Sequence, residues 1–215
     1  MNWILLMRTK KQIQGIIEGL EREYPLAECT LEYKKDYELL FATRLAAQCT
    51  DARVNIVTPI LYSRYPTLEA IAQADLTELE EIIHSCGFYH SKARDIINCA
   101  NLLLVRHGGI VPDTMEELIA LPGVGRKTAN LILGDVFGKP AVVVDTHCIR
   151  LSNRMGLVDS IKDPLKIELA LRKILPPEKS SDFCHRIVLH GRAVCPANRA
   201  RCEICCVSEY CAKKV

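Results

Sequence analysis

Strand patterns, long apolar runs and repeats are almost or wholly missing from this sequence. The single β-branched run, at residues 141–144, is too short to build a sheet, which excludes a β-sheet protein. The apolar segment at residues 1–7 is also short and is followed at once by basic residues, so it matches neither a signal peptide nor a membrane span. The ordinary globular composition excludes a disordered or fibrous protein. We therefore expect an all-α protein that stays in the cytoplasm, associated with the nucleoid if it is bacterial.

The apolar residues recur along the chain with the period of an α-helix. Ile13, Ile17 and Leu20 lie on one helical face, and the pattern predicts a first helix over residues 9–24 that ends at Pro25. The connectors between periodic segments are short and contain Pro or Gly, as expected for closely packed helices. The same period predicts further helices at residues 36–49, 52–63, 67–72, 76–85, 91–107, 114–120, 126–137, 146–155, 164–174 and 181–194.

Charge is divided unevenly along the chain. The net charge is only +2, but acidic side chains outnumber basic ones up to residue 120 and the order reverses after it. A basic second half indicates a polyanionic partner. A mixed, solvated surface would give the same division, so the charge pattern only supports other observations.

Cysteine is plentiful, with eleven residues in the chain. A chain of this length without a secretion signal does not need disulfides, so we expect reduced thiols and metal ligation. The segment 195–211 has almost no apolar core of its own and would need a metal as cross-link. It contains only one Cys-x2-Cys pair, where zinc ribbons have two, which favours a cubane iron–sulfur cluster over zinc. The predicted ligands are Cys195, Cys202, Cys205 and Cys211, and Cys206 could replace Cys205 by a slip of one residue.

Residues 121–145 combine a turn that can bind a phosphate with two candidate reactive side chains. A Pro-Gly-Val-Gly turn leads into a helix, whose first N–H groups and positive dipole end can bind a phosphate. Helix, Leu-Pro-Gly-Val-Gly, helix is typical of a helix-hairpin-helix element, in which Gly123 and Gly125 let the backbone approach a DNA phosphate. Such binding positions a duplex without reading its sequence. An ordinary turn between helices is the alternative.

Lys127 and Asp145 are the reactive candidates in that segment. Lys127 lies in the first helical turn, where the dipole and Arg126 both disfavour an ammonium, and a neutral amine can attack a sugar C1′ and form a Schiff base. Asp145 follows the apolar run and could stabilise positive charge on the sugar and help to deprotonate the lysine. The simpler alternatives are a solvated lysine and a helix N-cap.

The motifs in their order resemble the endonuclease III family of DNA glycosylases with abasic-site lyase activity. They are LPGVGRK at 121–127, VDTH at 144–147, HGR at 190–192 and the four-cysteine tail, and LAAQCTD at 45–51 and GFYHSK at 87–92 also look like family motifs. The resemblance covers the chain from about Lys11 onward.

The resemblance implies a two-domain all-α fold that binds double-stranded DNA with a damaged base or an abasic site, acting as a monomer and without a membrane. Residues 29–141 would form a helical barrel that contains the helix-hairpin-helix at about 114–137. Residues 1–28 and 142–215 would form the domain of a 4Fe-4S cluster, with the cluster loop at 195–211. The family's proline after the third cysteine is replaced here by Cys206, so the choice between Cys205 and Cys206 stays open.

The resemblance also assigns roles to residues. Lys127 would be the Schiff-base nucleophile and Asp145 the essential carboxylate. Gln48 and Phe88 would enter the base stack where the damaged nucleotide leaves, unless they are a helix-surface glutamine and a core phenylalanine. The remaining DNA contacts would be Leu121, Gly123, Val124, Gly125, Arg126, Thr128 and Arg192.

Lys127 decides between the expected activities. The adenine-excising branch of the superfamily generally lacks a lysine at this place, so we expect a bifunctional enzyme that removes oxidised or damaged pyrimidines and nicks 3′ to the abasic site by β-elimination. One alternative is a glycosylase for mismatched thymine or uracil in which Lys127 is idle. The other is a DNA-damage binder without catalysis.

Overall fold

The computed structural model describes residues 8–214, and helices are the only regular secondary structure in that range. The expected all-α fold is therefore confirmed. Within the described residues, no helix is both long enough and apolar enough to cross a membrane. The chain divides into two compact units, which we name the hairpin unit, Cys29–Phe137, and the cysteine unit, Met1–Glu28 with Gly138–Val215. The cysteine unit is described over residues 8–28 and 138–214.

The hairpin unit packs its helices around α6, which contacts α4, α5 and α2. Leu61, Leu79 and Leu103 have no exposed surface and form part of its core. Thr50, Thr67, Asp75 and Thr114 start helices as N-caps, each accepting a backbone N–H in the first turn. The helices are α2 Asp36–Leu45, α3 Asp51–Arg64, α4 Leu68–Ala72, α5 Leu76–Ile83, α6 Tyr89–His107, α7 Met115–Ile119 and α8 Arg126–Asp135.

The cysteine unit is built from helices taken from both ends of the chain. Helix α1 packs on α11, α11 on α9, and α9 on α10. Ile16, Leu151, Leu171 and Ile187 are fully buried, one from each of these helices. Its helices are α1 Lys10–Glu23, α9 Thr146–Met155, α10 Pro164–Ile174 and α11 Ser180–Ala193.

The predicted end of the second helix was wrong. The pattern placed it at residue 49, but α2 ends at Leu45. The helix stops early because the Cys49 N–H bonds to the Ala46 carbonyl at 3.1 Å, and the Leu45 carbonyl accepts the ammonium of Lys92, 47 residues later in the sequence, at 2.8 Å. Gln48 then has a left-handed backbone, with φ of 56°, which no α-helix contains. The fifth predicted helix also ends early, at Ile83, and a short 3-10 helix, His84–Cys86, follows it.

Candidate functional site

The turn between α7 and α8 has the geometry expected of a hairpin. The Val124 N–H bonds to the Leu121 carbonyl at 3.2 Å, and Gly123 has a φ of 74°, which glycine adopts without strain. Helix α8 then starts at Gly125 without a side-chain cap, in contrast to α7 and α9. A helix start of this kind suits an external phosphate as acceptor.

Gly123 is also required by packing inside the hairpin unit. A Cβ atom there would lie 2.9 Å from both the Arg44 Cδ and the Asp95 Cβ. Arg44 and Asp95 form a half-buried ion pair, with 2.6 Å between Nη2 and Oδ2, so the turn rests on two charged side chains that hold each other. The sequence pattern alone did not reveal this pair.

The predicted contact residues of the hairpin differ in exposure. Arg126 and Lys127 are exposed in the first turn of α8, and Val124 and Thr128 are half-buried. The Leu121 side chain is 2% exposed and packs in the core, so only its backbone is available to a ligand.

Asp145 is the N-cap of α9 in the cysteine unit. Its Oδ1 accepts the Cys148 N–H at 2.7 Å, and the buried residues 141–144 lead into it. This fixes the carboxylate against a helix start, where a negative charge is stabilised. Within the described residues of the cysteine unit, Oδ2 has no hydrogen bond, so one carboxylate oxygen remains for another partner.

Gln48 and Phe88, both in the hairpin unit, share an unusual backbone. Their φ values are 56° and 48°, and only Ser160 and Lys213 join them as non-glycine residues with positive φ between residues 8 and 214. Gln48 is exposed outside any helix, and Phe88 is 66% exposed at the start of α6, so neither a helix-surface glutamine nor a core phenylalanine is present. Strained conformations of this kind cost about 1–3 kcal/mol each and concentrate at functional sites.

The four predicted ligand cysteines form one electrostatic group in the cysteine unit. Burial raises the pKa of Cys205 and of Cys211, and the neighbouring thiols Cys195 and Cys202 raise both further. Cys206 has different surroundings. Burial raises its pKa to about 11, and its charged neighbours besides Cys205 are Glu23 and Arg22 of α1.

Several donors point at these sulfurs or at the loop that holds them. Arg154 donates to the Cys195 Sγ at 3.4 Å and to the Pro196 carbonyl at 2.7 Å. The His190 Nε2 lies 3.4 Å from the Cys205 Sγ, and the Lys213 N–H points to the Cys211 Sγ at 3.3 Å. Hydrogen bonds to sulfur favour the thiolate form that a metal requires.

In the described part of the chain, no three Cys, His, Asp or Glu side chains converge closely enough to hold one metal ion. A cubane binds each of its four thiolates through a different iron, so its cysteines stand further apart than the ligands of one zinc ion. Thiols that influence one another without converging are therefore compatible with a cubane.

Arg192, the remaining predicted contact, is exposed in the last turn of α11. It lies at a helix end next to the cysteine loop, and it belongs to the basic second half of the chain. No other predicted DNA contact belongs to the cysteine unit.

Comparison with known proteins identifies the family. Residues 41–177 match the model of the HhH-GPD superfamily of base excision DNA repair proteins. The chain is 46% identical over 207 residues to endonuclease III of Synechocystis sp., an alignment that covers 95% of this chain and 94% of that protein. The chain belongs to the endonuclease III family. Endonuclease III of Bacillus subtilis is 39% identical over 205 residues, with the same coverage.

One solved structure agrees with this family assignment, and a more distant one shares the fold. A trapped endonuclease III–DNA covalent intermediate, an estranged-adenine complex, matches with a TM-score of 0.90 and 40% identity over 96% of this chain and 97% of that one. A thermostable thymine-DNA glycosylase matches with a TM-score of 0.85 at 22% identity, over 94% and 96% of the two chains, and shares the fold. The resemblance that the sequence motifs predicted is confirmed.

Lys92 is a residue whose burial and contacts were not predicted from the sequence. It belongs to the GFYHSK motif at 87–92, but no role followed from the motif alone. The structure buries it completely and bonds its ammonium to two carbonyls. The signal was available in the pattern, because Lys92 shares a helical face with Ile96, Cys99 and Leu103, all of them apolar.

Proposed function

We propose that this protein is a bifunctional DNA glycosylase and abasic-site lyase of base excision repair that removes damaged pyrimidines from duplex DNA. The observation that carries the proposal is an exposed lysine, Lys127, directly behind an uncapped helix-hairpin-helix turn in a chain of the endonuclease III family. The two units would be the barrel domain and the cluster domain. The protein would act as a monomer in the compartment of the chromosome, which is the cytoplasm in bacteria.

Binding would begin at the hairpin. The backbone N–H groups of the turn at Gly123 and Gly125 and of the start of α8 would donate to one phosphate, and the exposed Arg126 would add positive charge beside it. Contacts of this kind fix the position of the duplex and do not select a sequence. The damaged base would be selected by the shape of the pocket that receives it once it leaves the stack.

Gln48 and Phe88 would occupy the space that the extruded nucleotide leaves. An exposed phenyl ring can stack against neighbouring bases, and an amide can bond to the edge of the orphaned base. Both side chains stand on exposed turns with fixed, strained backbones, which suits insertion into a duplex.

Lys127 would carry the covalent step. Its neutral amine attacks the sugar C1′, the N-glycosidic bond breaks, and the base leaves with the bonding electrons and a proton. Loss of the amine proton and opening of the ring give a Schiff base between Lys127 and C1′. Removal of a C2′ proton then expels the 3′ phosphate by β-elimination. Asp145 would stabilise the positive charge on the sugar and receive a proton from the amine.

We further propose that Cys195, Cys202, Cys205 and Cys211 hold a 4Fe-4S cluster. When bound, the cluster would supply the cross-link that the loop 195–211 lacks. The shared electrostatics of these four thiols and the separate surroundings of Cys206 support Cys205 as the third ligand. The reaction itself needs only side chains of the protein.

Borohydride trapping tests the covalent role. Lys127→Ala should form no reduced DNA adduct, because the helix that follows the hairpin turn, α8, contains no other lysine. Asp145→Asn should still bind abasic duplex while releasing base about 10²–10⁴-fold more slowly. Adduct formation by Lys127→Ala at the wild-type rate would contradict the assignment. Binding of damaged duplex by the wild-type protein without base release would instead favour a non-catalytic damage binder.

A further inference from the structure

Lys92 is a fully buried lysine in the hairpin unit, and its ammonium bonds to two backbone carbonyls instead of a carboxylate. Its side chain is 0% exposed and is among the largest fully buried ones in the described residues. The Nζ atom donates to the Leu45 carbonyl at 2.8 Å and to the Cys86 carbonyl at 2.9 Å. Burying an ammonium without a carboxylate partner is costly, and an apolar side chain would fill the same space without that cost.

The two carbonyls that Lys92 binds end two separate helices. Leu45 is the last residue of α2, and Cys86 is the last residue of the 3-10 helix that precedes α6. Carbonyls at helix ends lack a partner within the helix and attract a cation. One ammonium therefore joins the ends of two helices that are 41 residues apart in sequence, since 86 minus 45 is 41.

The insertion candidates follow directly behind these two carbonyls. Gln48 lies three residues after Leu45, and Phe88 lies two residues after Cys86. Both have the left-handed backbone described above, so each turn is held in one uncommon conformation. The Lys92 ammonium bonds to the carbonyl that precedes each of these two turns.

The surroundings of the ammonium fit a fixed structural link. Burial lowers the pKa of Lys92, while the nearby thiols of Cys86 and Cys49 favour its charged form. A second connection runs beside the first, since Arg44 of α2 donates to the Ser91 hydroxyl at 3.4 Å and Ser91 donates to the Phe88 carbonyl at 3.0 Å.

We infer that Lys92 is a positioning residue that sets the spacing between Gln48 and Phe88, so that both side chains enter one gap in the DNA stack. The inference rests on the proposed insertion roles of these two residues. Lys92 touches neither the substrate nor Lys127 in this scheme. Its effect reaches DNA through the two turns that it joins.

Lys92→Met tests the inference, because methionine keeps most of the volume and removes both hydrogen bonds. A duplex with a fluorescent base analogue beside the abasic site reports unstacking when the insertion residues enter. We expect the unstacking signal to fall in this variant. Two rates are then compared: base release from duplex DNA and adduct formation on single-stranded abasic DNA. The ratio of the first to the second should drop about 10- to 100-fold. Single-stranded DNA needs no insertion, so the ratio isolates the positioning effect.

Leu103→Ala serves as the matched control. It removes a fully buried side chain from the same helix, α6, and leaves both carbonyl contacts of Lys92 untouched. It should lower the Tm and leave the ratio and the unstacking signal at wild-type values. If Lys92→Met changes the ratio no more than Leu103→Ala does, Lys92 is merely structural and the inference is overturned.

A replacement variant at Lys92 and alanine variants at Gln48 and Phe88 complete the experiment. If Lys92→Met does not fold, Lys92→Leu, which also has no donor, takes its place, and wild-type unstacking by that variant overturns the inference. Gln48→Ala and Phe88→Ala are measured in parallel. If they leave unstacking and base release unchanged, the proposed insertion roles fail; if they lower both while Lys92→Met does not, only the inference about Lys92 fails.

Discussion

Gly123 and Gly125 stand two residues apart in one turn, but only Gly123 is required by the fold. Gly123 needs its positive φ and has no room for a Cβ beside Arg44 and Asp95. Gly125 has an extended backbone, and a Cβ there would meet nothing within 4 Å. Packing within the hairpin unit therefore does not require glycine at position 125, which agrees with the proposed contact of this residue with a phosphate.

Alanine at each position should separate stability from binding. Gly123→Ala should lower the free energy of unfolding by about 1–3 kcal/mol through overpacking and backbone strain. Gly125→Ala should change it by less than about 1 kcal/mol but weaken duplex binding, because the methyl group blocks the close approach of a phosphate. Urea unfolding and fluorescence anisotropy of a labelled duplex measure the two effects. Equal loss of stability in both variants would refute the distinction.

Cys205 and Cys206 are also neighbours with different surroundings. Cys205 shares its electrostatic environment with Cys195, Cys202 and Cys211, whereas Cys206 lies near α1. We expect Cys205→Ser to lose most of the bound iron and Cys206→Ser to keep it. Iron content per chain and the visible absorbance of the purified proteins measure this, and retention of iron by Cys205→Ser would reverse the assignment.

The sequence identified Gln48 and Phe88 through motifs but not through conformation. Periodicity extended the second helix through Gln48, because nothing local reveals that a lysine more than forty residues later binds the carbonyl of Leu45. Both residues have a left-handed backbone, and each follows a carbonyl that accepts this distant lysine. Asp145, in contrast, was predictable as an N-cap, since a cap depends only on the residues that follow it.

At the scale of elements, α1 supports the cysteine loop through two glycines on one helical face. A Cβ on Gly15 would lie 2.6 Å from the Tyr210 ring, and one on Gly19 would lie 2.8 Å from a Val207 methyl carbon. Val207 is fully buried, so the loop has no space to retreat without uncovering apolar surface. Helix periodicity predicted α1, but its close approach to the loop depends on both partners and was not visible in either segment.

Substitution of Gly15 should therefore act on the cluster. Gly15→Ala pushes the Tyr210 ring away from α1 and should reduce iron retention during purification several-fold, while helical circular dichroism stays near the wild-type value. Gln14→Ala, on the exposed face of the same helix, is the control and should retain iron fully. Identical iron content in the two variants would exclude a supporting role for this helix face.

At the scale of the whole molecule, most of the apolar core of the cysteine unit comes from helices outside the loop. Ile16, Leu151, Leu171 and Ile187 come from its four helices and are fully buried. The loop 195–211 contributes only a 3-10 helix, Cys202–Ile204, to the regular structure. The cluster is thus expected to order the loop more than the unit.

Removal of the cluster should show this difference. After oxidation and chelation, we expect most of the helical circular dichroism to remain, while a protease cleaves within 195–211 much faster than before. Mass spectrometry of the early fragments locates the cleavage. Cooperative loss of all helical signal on removing the iron would mean that the cluster holds the entire unit.

The division of the cysteine unit between the two chain ends determines the order in which the protein can form during synthesis. The Tyr24 hydroxyl contacts the His190 Nδ1 across 166 residues of sequence, so α1 emerges from the ribosome long before its partners exist. The hairpin unit is contiguous and can fold while translation continues. Helix α1 must wait with its apolar face uncovered until α11 and the last cysteine have been made. A ribosome that stalls within the final segment would therefore release a chain with a folded hairpin unit and an incomplete cysteine unit.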